Sequence, residues 1–200
     1  MRGLLLGTGG IGTLMLIPLL LIAVLLGSLP ATGPAGSDSA ALAGLAQPAP
    51  YLGTGAACSQ TDPTGGRCLT PVTRHAYDEV IRTFGEPAQG SPIRAAGCWD
   101  EHAWNPSSDH SRGRACDFFP TQAGRFPQGE ELENGWRLAH WLRAHSETLR
   151  VKYIIWQGRF WSPDTTDIDG WGRRYSGGGV YDPTDATGGH FDHIHVSHEQ

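Results

Sequence analysis

Two stretches decide how this 200-residue chain is read: Ser108-Asp109-His110-Ser111-Arg112-Gly113-Arg114-Ala115-Cys116-Asp117, and the closing run His190-Phe191-Asp192-His193-Ile194-His195-Val196-Ser197. Zn²⁺ in a catalytic site takes three protein ligands, typically from His, Asp, Glu or Cys, and leaves a fourth position for water. His110, Asp117 and one histidine of the closing run meet that requirement. His110 and Asp117 are seven residues apart, so a loop must bring the histidine back toward the strand that holds the aspartate. Gly113 supplies the freedom for the turn, Ala115 is small enough to let neighbours approach, and Ser108 and Asp109 can bond locally and fix the loop. In the closing run His193 and His195 are two apart on an expected strand and share a face, so both can approach one metal. Asp192 lies three residues before His195, where a glycine-rich loop enters the strand, and faces the same site if the backbone bends there. A carboxylate beside a metal-activated water is the usual general base for hydrolysis.

The composition supports a site of this kind. Four of the nine histidines fall in the last eleven residues (His190, His193, His195, His198), a crowding that points to metal or acid–base chemistry. Fourteen arginines and the single Lys152 are scattered, and the formal charge is −5, so no basic stripe exists for a nucleic-acid partner. A monomer is expected. The four cysteines at 58, 68, 98 and 116 contain no Cys-x-x-Cys pair, and an even count in an exported chain argues for two disulfides. Three pairings are open. Cys58 with Cys68 is favoured because the short span between them carries Pro63, Gly65 and Gly66, which leaves Cys98 with Cys116 to tie the segment before the proposed site to the site itself.

From Gly3 to Gly27 there is no charge, and residues 1–27 read as a signal peptide or membrane anchor that keeps Arg2 in the cytoplasm and sends the rest of the chain outward. Residues 28–50, almost all Ala, Gly, Pro, Ser, Thr and Leu with Asp38 as their one charge, read as a flexible linker. The folded domain is expected over 51–200.

Within it, Thr70 as cap, Pro71 at the first position, apolar residues at 72, 76, 77, 80, 81 and 84 and a terminating Gly85 predict an amphipathic helix. A second helix is expected from Glu131 or Asn134 to His145. Strands are expected at 93–98, around 114–118 with Asp117 at the end, and at 193–196. Residues 151–162 read as a hairpin turning at Gly158-Arg159, its aromatics core on one face and a groove wall on the other. Residues 163–189 form a long glycine-rich loop of the kind that is functional or mobile. These elements predict a small α+β domain.

The pattern Ser108-x-His110-x-x-Gly113-x-Ala115-x-Asp117 followed by Asp192-His193-x-His195 resembles the zinc D-alanyl-D-alanine carboxypeptidases, D-Ala-D-Ala dipeptidases and L-alanyl-D-glutamate endopeptidases of peptidoglycan. The hedgehog signalling domain shares their fold. The likeness covers roughly residues 90 to 197 and is closer still to a group of uncharacterised actinobacterial exported proteins with the same His-rich ending. It implies an antiparallel sheet with flanking helices, His110, Asp117 and His195 as Zn²⁺ ligands, and Asp192 as general base, where many carboxypeptidases carry Glu. It also implies His193 and Arg94 as groups assisting the tetrahedral intermediate and the substrate carbonyl. The activity implied is hydrolysis of an amide in a peptidoglycan peptide; the reading from another class is a zinc-containing cell-wall-binding or signalling domain without turnover.

Overall fold

The computed structural model describes residues 42–200; the apolar segment over 1–27 and most of the linker over 28–50 lie outside the described residues. Helix α1 runs Pro71–Phe84. The Thr70 hydroxyl accepts from the Thr73 N–H, Pro71 occupies the first turn, where its missing N–H costs nothing, and Gly85 closes the helix at φ 91° by donating to Ile81 O at 2.8 Å. Helix α2 runs Glu130–Ala144. Glu130, Glu131 and Glu133 sit in its first turn, where the helix dipole favours negative charge.

Six strands follow the chain as β1 (Ala95–Gly97), β2 (Ala115–Phe119), β3 (Val151–Trp156), β4 (Arg159–Trp161), β5 (Arg173–Arg174) and β6 (Ile194–His198). They form one sheet in the order β1-β2-β6-β3-β4-β5, every pair antiparallel. Among the described residues the domain is therefore α+β, with helices α1 and α2 and a six-stranded antiparallel sheet. The expected elements are present, with Asp117 in the middle of its strand rather than at the end, and with the hairpin turning at Gln157-Gly158, both at positive φ, rather than at Gly158-Arg159, because Arg159 already pairs with Trp156.

Alternation along the strands sorts the residues onto two faces. Phe118, Ile154, Trp156, Ile194 and Val196 are buried in the core beneath the helices. Tyr77 of α1 stacks on Phe118 at 5.9 Å, and Phe84 meets the edge of Trp141 of α2 at 5.6 Å. Gly135 of α2 makes room for Trp156, whose ring a Cβ there would meet at 2.2 Å. Trp156 and Trp161 thus belong to the core, while Tyr153, Ile155 and Phe160 of the same hairpin line a cavity with Asp117 and His195.

Both disulfides form as favoured, Cys58–Cys68 and Cys98–Cys116. The second follows from register, because pairing of Gly97 with Asp117 brings Cys98 beside Cys116. Two disulfides suit an oxidising compartment and support an extracytoplasmic location. Among the described residues no helix is long and apolar enough to cross a membrane.

Residues 42–50, assigned by composition to the linker, are packed. Leu42 and Leu45 lie against the core, and the backbone of 46–49 is held by both helices: Trp141 Nε1–H donates to Ala46 O (2.9 Å), Arg82 Nη2 to Gln47 O (2.7 Å), and the Ala49 N–H to Glu79 Oε2 (3.1 Å). Burial alone would raise the Glu79 carboxyl, but hydrogen bonds from Arg82 and Ala49 hold it below its ordinary value. A depressed folded pKa means stability that is present above the unfolded value of about 4.3 and lost as pH falls through the folded one. Glu79→Gln should therefore destabilise the domain by about 1 kcal/mol at pH 7, small because Arg82 is half exposed. The gap should close below about pH 4. Urea unfolding at pH 7 and 3.5 checks this; a gap that persists at low pH contradicts the ion-pair account.

Candidate metal centre

Asp117 and His195 are direct partners across the β2–β6 ladder, and Ile155 of β3 faces His195 from the other side. Directly opposed residues share a face, with Cβ atoms about 4.5–5.5 Å apart. His110 comes from a short 3₁₀ turn, His110–Arg112, that precedes β2. Gly113 ends that turn at φ 65° and donates to His110 O at 2.9 Å. A side chain at Gly113 would also strike Cys58 Sγ and Cys68 O, both at 2.5 Å from its Cβ. The glycine therefore serves close approach to the first disulfide as well as the turn.

Three donor atoms converge. His110 Nε2 lies 3.1 Å from His195 Nδ1 and 3.2 Å from Asp117 Oδ1, and His195 Nδ1 lies 2.9 Å from Asp117 Oδ1. Ligands held at about 2.0–2.1 Å around a tetrahedral zinc stand about 3.3 Å apart, so the triangle has the size of a metal's coordination face. The outward ring nitrogens are committed elsewhere. His110 Nδ1–H donates to Cys98 O, and His195 Nε2–H donates to Ser197 Oγ at 3.0 Å. Both inward nitrogens then present lone pairs to each other and to a carboxylate, an arrangement that calls for a cation. Among the described residues His110, Asp117 and His195 form a group able to hold one metal ion, and two imidazoles with a carboxylate are consistent with zinc.

The surroundings extend this order outward. Ser197 bonds Asp109, whose Oδ2 accepts from Lys152 Nζ at 2.9 Å. Ser108 Oγ accepts from the His110 N–H at 3.3 Å, as the loop reading expected. Burial would lower His110, yet the Asp117 carboxylate pushes it up to about 9, and Asp117 itself is held well below its ordinary value by His110 and His193 despite burial.

His193, one residue before β6, points Nε2 toward the same centre, 3.7 Å from Asp117 Oδ1. Its Nδ1 is 2.6 Å from Asp192 Oδ1. Asp192, expected beside the metal as base, does not line the cavity. Its carboxylate is fully buried, accepting from His193, from the Gly124 N–H (2.6 Å) and from Thr187 Oγ1 (2.8 Å). Strand alternation explains the difference, since residue 192 falls on the opposite side from 193 and 195. The structure thus makes Asp192 the partner of His193 rather than of the metal. Arg94 is likewise absent from the lining. It precedes β1 and donates its N–H to Phe119 O at 2.7 Å, and the alternation that puts Ala95 and Gly97 opposite Phe119 and Asp117 turns Arg94 to the other face.

The three donor residues sit in the wall of a cavity of about 430 Å³. Sequence reasoning missed several of its other residues. His102 stacks on His110 at 5.0 Å and 4°, and Tyr153 stacks on His195 at 5.3 Å. Tyr175 and Tyr181 come from the glycine-rich loop, and Asn105 Nδ2 donates to Tyr181 OH at 3.2 Å within the lining. His190 is buried at φ 55° with its ring 4.6 Å from that of His193. His198 is structural, its Nδ1–H donating to Leu149 O at 2.9 Å. Only the period-two alternation of the 151–162 hairpin carried a usable signal, placing Tyr153 opposite in face to Trp156.

Replacing His110, Asp117 or His195 singly by Ala should reduce bound zinc from about one equivalent to well below it, with a loss of affinity exceeding the 10- to 100-fold typical of outer groups. Ser197→Ala should cost about 10- to 100-fold while leaving stoichiometry at saturation intact. Equal effects of ligand and Ser197 variants in a chelator competition would contradict the assignment.

No curated protein and no solved structure matches the chain. A family model does, described as VldE, C-terminal domain, over residues 65–187. The matched span is more than half of the chain; it takes in His110 and Asp117 and ends before β6. The chain belongs to the VldE C-terminal domain family.

Proposed function

We propose that the protein is an exported zinc-dependent hydrolase that cuts an amide bond of a peptidoglycan stem peptide or cross-link. The observation that carries the reading is the convergence of His110, Asp117 and His195 beside a histidine–carboxylate pair at the wall of an open cavity. The likeness to zinc peptidoglycan peptidases rests on the motif residues and gives the substrate class. Export is supported by the apolar stretch from Gly3 to Gly27 and by the two disulfides. When bound, zinc supplies Lewis acidity for the scissile carbonyl and lowers the pKa of the attacking water.

The chain's own groups move the proton. Asp192, buried and held by Gly124 and Thr187, accepts the Nδ1–H of His193 and so fixes the tautomer that leaves Nε2 free toward the cavity. Nε2 takes a proton from the attacking water and returns it to the leaving amine nitrogen. His193 is thus the acid–base group, and Asp192 positions it and stabilises its imidazolium. Cys98 O and Ser197 hold the His110 and His195 rings so that their inward nitrogens face the metal position.

The test is digestion of purified peptidoglycan by the zinc-loaded full chain, with new termini identified by mass spectrometry. Cleavage should stop with chelator, and His193→Ala should lower the rate by about 10²- to 10⁴-fold with zinc content unchanged. Asp192→Asn should lose rate in the same direction. Zinc at one equivalent with no released fragment would replace the hydrolase with a cell-wall-binding or signalling domain.

A further inference from the structure

We infer that the cavity receives a chain-internal amide flanked by an ammonium-bearing residue, rather than the end of a peptide with a free carboxylate. The inference rests on the hydrolase reading and specifies its substrate. Among the described residues no Lys or Arg lines the cavity. Its carboxylates are Asp117, committed to the donor triangle, and the half-exposed Asp100; its imidazoles at 110 and 195 face the metal and that of His193 is paired with Asp192.

A terminal carboxylate one residue beyond the scissile bond would lie within about 4–7 Å of the reacting carbon, since successive Cα atoms are about 3.8 Å apart. It would enter a pocket that offers it no Lys or Arg and no cation beyond the metal, whose open position serves the water and the scissile carbonyl, and a partly desolvated charge without a dedicated partner is costly. The basic groups that touch lining residues are spoken for. Lys152 is bonded to Asp109 at 2.9 Å, and its ammonium lies 5.5 Å from the centroid of the Tyr153 ring. Arg159 donates to the carbonyls of Ile168, Trp171 and Gly172. Arg173 lies over Phe160, 4.8 Å from its centroid, and is outside the lining.

The mouth suits the opposite charge. Asp100, His102 and Trp104 come from one loop. The Asp100 side chain is about half exposed, His102 Nδ1 lies 3.5 Å from its carboxylate, and the Trp104 ring packs on His102 at 5.1 Å. Trp104 is 66% exposed, a large aromatic face with room above it for a ligand. Tyr181, bonded to Asn105 of the loop that carries Asp100, adds another aromatic ring to the lining. A carboxylate among aromatic faces receives an ammonium by charge pairing and cation–π attraction.

The test uses the zinc-loaded full chain and two synthetic pentapeptides, L-Ala-γ-D-Glu-L-Lys-D-Ala-D-Ala, one with a free C-terminal carboxylate and one amidated there. The amidated peptide should be cut with kcat/KM at least ~10-fold higher. Acetylating its lysine should raise KM several-fold, and Asp100→Lys, at an exposed position that tolerates change, should reverse the order of the two peptides. Faster release of D-Ala from the free acid, or no preference between them, overturns the inference and leaves the hydrolase standing. Cleavage of neither peptide with zinc bound at one equivalent overturns the hydrolase reading and the inference with it.

Discussion

The pairing of β2 with β6 is the constraint on which the rest depends. It joins residues 78 positions apart in the chain and sets Asp117 directly opposite His195. A slip of one residue would exchange the two faces of a strand, sending His195 and Ser197 into the helix-covered core and bringing Ile194 and Val196 out to the cavity. Register is defended from both sides. Phe118, Ile194 and Val196 must be buried beneath α1 and α2, and the Cys98–Cys116 bridge pins β1 to β2 one pair away from Gly97 and Asp117. The hydrophobic core and the polar site are two readouts of the same alternation.

Around that pair the polar groups are arranged by what each has left to donate. An imidazole that gives its outward N–H to a carbonyl or hydroxyl must present a lone pair inward, and this holds for His110 through Cys98 and for His195 through Ser197. His193 follows the same rule with a stronger partner, the buried carboxylate of Asp192. The three histidines are thereby given different work by their backs rather than their fronts. Ser197 is also tied to Asp109 and through it to Lys152, so the polar network runs from the cavity wall to the edge of the domain.

Much of this was legible because it is local or periodic. The α1 caps, both disulfides and the grouping of His110 and Asp117 with one histidine of the closing run follow from spacing and residue type; the family likeness singled out His195, and the hairpin was legible with its turn one residue off. Asp192 was expected at the site only if the backbone bends there, and face assignment near a strand end depends on where pairing begins; Arg94, implied by the family likeness alone, lies outside the cavity lining too. Residues 42–50 look unfoldable by composition, yet Leu42, Leu45 and backbone carbonyls bonded by Trp141 and Arg82 hold them, contacts that only the packed helices create. The cavity wall was hidden for a similar reason. His102, Tyr175 and Tyr181 lie in irregular segments without periodicity and meet the site through long-range loop contacts such as Asn105 to Tyr181.

The central claim is that one metal ion is held by two imidazoles and one carboxylate, with His193 close by but not a ligand. X-ray absorption at the zinc edge of the loaded full chain measures this directly, because imidazole rings give a multiple-scattering signature that counts them. Two imidazoles, light-atom distances of about 2.0–2.2 Å and no sulfur is the result this structure predicts. Three imidazoles would make His193 or His190 a ligand, leave Asp192 holding a metal-bound ring, and contradict the account.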